Sequence, residues 1–210
     1  MTRPLRADAA RNRQRIVDAA KTLFAERGVE VSVEDIAAAA GVGVGTFYRR
    51  FPDRESLVEA VFATKLERAA ENARKALEIE DPWEAFRTFV TGVARMHARD
   101  RGLNDVLLSS DRGRERVAAF RETIQPLAGQ LLDRAKAAGA LRDDVTLFDI
   151  AMIHQAVGAI ADITRDVSPD YFERTLTLLV DGLAAERTPT AMPVPAPAFD
   201  QFIAIVRRRR

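Results

Sequence analysis

A chain of 210 residues that is 47% hydrophobic and 30% charged can bury a core and cover it, which excludes a wholly disordered protein. It has no Cys, so disulfides, thiolate metal sites and cysteine nucleophiles are excluded together. The formal net charge is only +1, yet residues 1–54 carry 10 Lys and Arg against 7 Asp and Glu, residues 55–206 carry 18 against 24, and 207–210 are all Arg. A basic head on an acidic body suits a head that meets a polyanion. No apolar run follows the Arg-rich start and none approaches the ~18 residues of a membrane span, so a cytoplasmic protein with no membrane contact is expected.

Apolar residues recur at helical spacing almost throughout, and no stretch alternates long enough to make a strand. Ile16, Val17, Ala20, Leu23 and Phe24 mark one face of a helix over 8–27, with Gly28 as its stop. Ser32 as N-cap with Asp35 at the third position opens a short helix to Ala40, and Gly41 ends it. A second short helix spans 44–51, and Pro52 forbids its continuation. Asp53 caps a long helix reaching about Ile79, and Asp81 followed by Pro82 and Glu84 starts the next. A short helix is expected near 103–110 and a longer one over 114–138, kinked at Pro126 and ended by Gly139. Thr146 with Asp149, and Ser168 with Pro169, cap two last helices reaching about Arg165 and Glu186. The Pro-rich stretch 188–197 reads as a linker. The expected architecture is all-α with about nine helices.

The run Ser32 to Phe51, SVEDIAAAAGVGVGTFYRRF, carries the function. Two short helices meet at a tight turn at Gly41, and Ile36, Ala37, Ala40, Val42, Phe47 and Phe51 are spaced to share a small core. Val44, Gly45, Thr46, Tyr48 and Arg49 then face outward near the start of the second helix, the positions that a helix-turn-helix places in the major groove. Thr46 and Tyr48 offer hydroxyls, Arg49 reaches a phosphate or a guanine edge, and Gly43 and Gly45 let the backbone come close. Arg54 and the cap at Ser32 are expected to add contacts to the DNA backbone.

These residues resemble the TetR family of transcriptional regulators. Ile16 to Phe24, Ser32 to Ala40, Gly41 to Phe51 with Thr46, Phe47 and Tyr48, and a helix opened by Asp53-Arg-Glu-Ser-Leu57 are similar to that family's DNA-binding domain over about residues 11–62. Asp81-Pro-Trp-Glu-Ala-Phe86 and Asp100-Arg-Gly-Leu-Asn-Asp105 are similar to a subgroup of actinobacterial regulators. Val44 and Gly45 depart from the family, where many relatives carry a polar residue or Lys. Base readout then leans on Tyr48, Arg49, contact from Val44 and an Arg-rich N-terminal arm.

The resemblance implies a three-helix DNA-binding domain at 1–52, an effector-binding and dimerisation domain at 53–187, and a linker and tail at 188–210. It implies a homodimeric repressor that grips a palindromic operator and is released by a small effector, with the helix after Asp53 as lever. Expected to line the effector cavity are Phe62, Phe86, Phe89, Val93, Met96, Phe120, Ile124 and Met152, with His97, Thr123, His154 and Gln155 as its polar contacts, which suits an apolar or aromatic ligand. Leu147, Ile150, Ala151, Val157 and Gly158 with Leu176, Leu179, Val180 and Leu183 are expected at the dimer interface.

Two other readings compete: a helical enzyme, and a protein-binding adaptor without DNA affinity. Gly41-Val-Gly-Val-Gly45 follows a helical run rather than a strand and lacks the Lys-Ser/Thr of a phosphate loop. Asp143 and Asp144 read as solvated acids beside a cap, and His97 and His154, the only two histidines, read as packed or hydrogen-bonded core residues rather than metal ligands. No catalytic residue, metal or cofactor is expected.

Overall fold

The computed structural model describes residues 3–99, 118–119 and 122–185. It contains α1 (Arg3–Arg27), α2 (Val33–Ala39), α3 (Val44–Arg50), α4 (Arg54–Leu77), α5 (Pro82–Arg99), α6 (Gln125–Ala137), α7 (Leu147–Thr164) and α8 (Tyr171–Asp181), with no strand among the described residues. The short helix expected near 103–110, the linker at 188–197 and the terminal arginines lie outside the described residues.

The chain divides into two compact units, with the boundary after Lys65. In the first, Ile16, Ala20 and Phe24 of α1, Ile36 and Ala37 of α2, Phe47 of α3, and Leu57 and Val61 of α4 are buried. The caps are local. Ser32 Oγ accepts from the Asp35 N–H at 3.1 Å, and Asp53 Oδ1 accepts from the Ser56 N–H at 2.7 Å. Gly41 sits at φ +61°, and with it the Gly41 and Val42 N–H groups return to the carbonyls of Ala38 and Ala37. That pattern closes α2 and turns the chain sharply into α3; only glycine adopts this φ without strain. A Cβ there would also lie 2.4 Å from Arg15 Nη2, which donates to the Gly41 carbonyl at 3.1 Å.

The second unit packs α5 against α7, α8 and α6, with the last part of α4 adding Ala70, Ala73 and Ala76 to the core. These alanines, spaced one turn apart, allow close helix approach, and Asn72 between them extends its amide to the Phe89 carbonyl across 3.5 Å, over Gly92. Asp81 Oδ1 caps α5 through the Glu84 N–H at 2.7 Å, and Thr146 with Asp149 forms a reciprocal box at the start of α7. Gly139, at φ +68°, ends α6 by the same bonding as Gly41.

Three expectations about these elements change. The helix expected over 114–138 is interrupted by a turn at Ile124, and Pro126 sits in the first turn of α6, where its missing N–H breaks no helical bond. Ser168 does not cap α8: its carbonyl accepts the Tyr171 N–H in a turn, and α8 begins two residues later than expected, at Tyr171. Nor does α8 run to Glu186. It stops at Asp181 because the following residues pair with the chain beyond α6, Arg142 N–H to the Leu183 carbonyl and Ala185 N–H to the Ala140 carbonyl, both 3.1 Å.

By length and composition α7 is apolar enough to cross a membrane. In the fold its apolarity serves two sides: Ile150, Val157 and Ala161 face the core, whereas Met152, Ala156, Ala159 and Ile163 are exposed.

Candidate functional site

The first unit presents α3 as its chemically distinctive surface. Phe47 and Phe51 are fully buried with rings 5.9 Å apart, and Tyr48 meets the edge of Phe47 at 5.4 Å. This anchoring fixes the rotation of α3 and leaves Val44 (37% exposed) and Tyr48 (49%) outward together with Arg49 and Arg50. Arg49 Nη2 donates to Thr46 Oγ1 at 2.8 Å. At Gly43 and Gly45 an added Cβ would meet no atom within 4 Å, so the backbone is open to an approaching surface there. Ser32, at the start of α2, has its oxygen engaged by the Asp35 amide and keeps its hydroxyl proton to donate.

Two expectations for this surface are corrected. Arg54 turns inward: its Nη1 donates to the Val31 carbonyl at 2.6 Å and its Nη2 is buried, so the guanidinium braces the turn before α2 instead of reaching outward. The N-terminal arm is helical from Arg3, as part of α1, with Pro4 in the first turn, where its missing N–H breaks no helical bond. Sequence reasoning missed Arg13, whose guanidinium lies 5.2 Å from the centre of the Phe51 ring, and Arg15 on the Gly41 carbonyl. Their spacing relative to the α1 core face was the available signal.

In the second unit the expected effector residues separate into groups. Phe86, Phe89 and Ile124 belong to the buried core; Val93, Met96, His97, Thr123 and Gln155 are half-buried. His97 of α5 and His154 of α7 come together, their rings stacked 5.6 Å apart at 22°. His154 Nε2 donates to the Val90 carbonyl at 3.1 Å. Burial first and the neighbouring His97 second, opposed by the Val90 bond, leave the His154 pKa pushed down to about 3. The ring is therefore neutral, with Nδ1 as its acceptor. Met152 departs from the expectation: two residues from His154 on a helix puts it on the opposite, exposed side. Phe62 is buried within the first unit, and Phe120 lies outside the described residues. Among the described residues no group of three or more His, Asp or Glu is placed to hold a metal ion.

The expected dimer residues divide into two groups. Ile150, Val157, Gly158, Leu176, Val180 and Leu183 are buried in their own unit's core, and Leu147, Ala151 and Leu179 are half-buried. Because α7 is apolar on two sides, periodicity alone could not separate the inner face from the outer one. The exposed apolar residues are Met152, Ala156, Ala159 and Ile163 of α7 with Tyr171 and Leu178 of α8.

Residues 16–61 match the family described as bacterial regulatory proteins, tetR family. Residues 81–185 match the C-terminal domain described as transcriptional regulator SbtR-like. A TetR transcription regulatory protein from Mycobacterium vanbaalenii is 37% identical, with 86% of this chain and 99% of that one covered and a TM-score of 0.60. A TetR transcriptional regulator from Streptomyces coelicolor is 31% identical, with 83% and 99% covered and the same TM-score of 0.60. The fold is shared with RolR in complex with the ligand resorcinol, at 23% identity, 96% of both chains and a TM-score of 0.52. An HTH-type transcriptional regulator from Staphylococcus aureus is 45% identical over 64 residues, 30% of this chain, so the match spans about a third of that curated relative (35%).

Proposed function

The chain belongs to the TetR family of DNA-binding transcriptional regulators, and from that footing we propose that it is a homodimeric repressor of a palindromic operator, released by a small effector. We assign residues 1–52 to DNA binding, 53–187 to effector binding and dimerisation, and the protein to the cytoplasm. The observation that carries the reading is α3, pinned from behind by Phe47 and Phe51 and bare in front at Val44, Gly45, Tyr48 and Arg49. A short helix held this way enters a major groove. Two copies in a dimer would meet successive grooves about 34 to 36 Å apart.

The effector reading rests on the second unit. His97 and the neutral His154 stack beside Val93 and Met96, which suits a small aromatic or apolar molecule that carries polar groups; RolR, which shares the fold, holds resorcinol. A ligand that favours a state unsuited to the operator weakens DNA binding by linkage. The chain runs from one unit to the other through α4.

The test is a titration of the full chain against duplex DNA from upstream of its own gene, with an unrelated duplex of the same length as competitor. A preference for the upstream DNA that small aromatic compounds reduce is the expected result. Equal affinity for both duplexes would overturn the repressor reading.

A further inference from the structure

The outward residues of the first turn of α3 are short: Val44, Gly45 and Thr46. Only Thr46 is polar, and its short hydroxyl cannot make a two-pronged contact with a base edge. The long donor is Arg49, one turn further on, and the structure shows what it does there. Side chains on a helix lean toward its N-terminus, and residues three apart are neighbours. Arg49 follows that direction and is held in it by the 2.8 Å bond from Nη2 to Thr46 Oγ1. The guanidinium thus reaches back to Thr46 in the first turn, and beside it the surface at Gly45 is open, since an added Cβ there would meet nothing within 4 Å.

We propose that Thr46 and Arg49 work as one base-reading unit: Thr46 is a positioning residue that presets Arg49 to grip the O6 and N7 of one guanine in each half-site. One of the five guanidinium N–H donors goes to Thr46, and four remain, enough for the two-pronged contact that distinguishes guanine from the other bases. An unanchored Arg would lose rotamer freedom on binding; one already tied to Thr46 loses less. Val44, exposed at the same end of the helix, presents methyl groups that fit a thymine methyl nearby. This rests on the reading that α3 enters the major groove.

The experiment selects duplexes from a random-sequence pool with the full-length protein, in parallel for wild type, Arg49→Ala, Thr46→Val, Thr46→Ser and the Thr46→Val/Arg49→Ala double variant. Thermal melts of each variant confirm folding. Wild type should enrich a site with a guanine at one position in each half. Arg49→Ala should flatten preference at that position alone and weaken binding about 5- to 150-fold for each half-site. Thr46→Val should flatten the same position, Thr46→Ser should restore it, and the double variant should be no worse than Arg49→Ala. If Arg49→Ala flattens the position while Thr46→Val leaves it intact, or if the two losses multiply, the positioning role of Thr46 is overturned and the groove reading stands. If wild type enriches a site whose every position survives all four variants, the groove reading itself fails.

Discussion

His154 of α7 donates its Nε2 proton to the backbone carbonyl of Val90 in α5 across 3.1 Å, which ties two core helices through a side chain that must stay neutral to pack. With its pKa held at about 3 by burial, assisted by His97, it remains unprotonated where the unfolded chain, at about 6.5, takes up a proton. Between these values the unfolded state binds more protons than the folded one, so stability falls as pH falls. Each pH unit fully inside that window costs up to about 1.4 kcal/mol from this one group. Urea midpoints at pH 7, 6 and 5 should drop for wild type and drop less for His154→Gln, which keeps an N–H for Val90. Parallel slopes for the two proteins would contradict the assignment.

Phe47 and Tyr48 are adjacent in α3 and should fail in different ways. Phe47 is fully buried, so Phe47→Ala empties a small core and should cost about 3 to 5 kcal/mol, visible as a lowered melting temperature of the first unit. Tyr48 is half exposed, so Tyr48→Phe should leave the melt unchanged and weaken operator binding by the loss of one hydroxyl contact. Melting curves paired with DNA titrations check both. A Tyr48→Phe variant that binds as wild type would remove that hydroxyl from the interface.

What could be read from the sequence was local. The caps at Ser32, Asp53, Asp81 and Thr146 each bond an amide three residues ahead, so their signals lie within one helical turn. The bond between Ser168 and Tyr171 is just as short, but it uses the Ser168 carbonyl, which every residue has, and so leaves no mark in the sequence. Partners far along the chain were illegible for a different reason. Arg54 finds Val31 and the end of α8 finds residues 140–142 only once the fold exists. For α3, the inward spacing of Phe47 and Phe51 revealed the outward set; for α7, a helix apolar on both sides gave no such contrast.

Arg134 of α6 gives a stability test that sequence spacing could not suggest. Its guanidinium donates to the carbonyls of Leu77 (3.0 Å), Ile79 and Glu80, which the end of α4 leaves without helical partners. A planar fork can serve several carbonyls at once; an ammonium cannot match that geometry. Arg134→Ala should cost about 1.5 to 3 kcal/mol, the range for a charged hydrogen bond, and Arg134→Lys should fall between it and wild type. Urea unfolding of the three proteins orders them, and an Ala variant as stable as wild type would show that water serves those carbonyls equally well.

The dimer proposal moves to the face that the core leaves uncovered. Met152, Ala156, Ala159 and Ile163 follow one another at steps of four, three and four residues, which lines them along one side of α7. Ile163 is 82% exposed and Leu178 of α8 is 67% exposed, apolar surface that a second copy related by two-fold symmetry would cover. The two alanines let a partner helix approach closely, and α7 and α8 from both copies would complete a four-helix arrangement. Ile163→Asp and Leu178→Asp place charge on this face at positions that are themselves exposed, so helix content and melting of each unit should hold. Sedimentation at micromolar concentration should then show a dimer for wild type and monomers for the Asp variants, with operator binding weakened because each half-site must be filled separately. A Val157→Ala variant behaves oppositely: that side chain is fully buried in its own unit, so it should lower stability without acting directly on the dimer face. Asp variants that sediment as dimers would return the interface to some other surface of the chain.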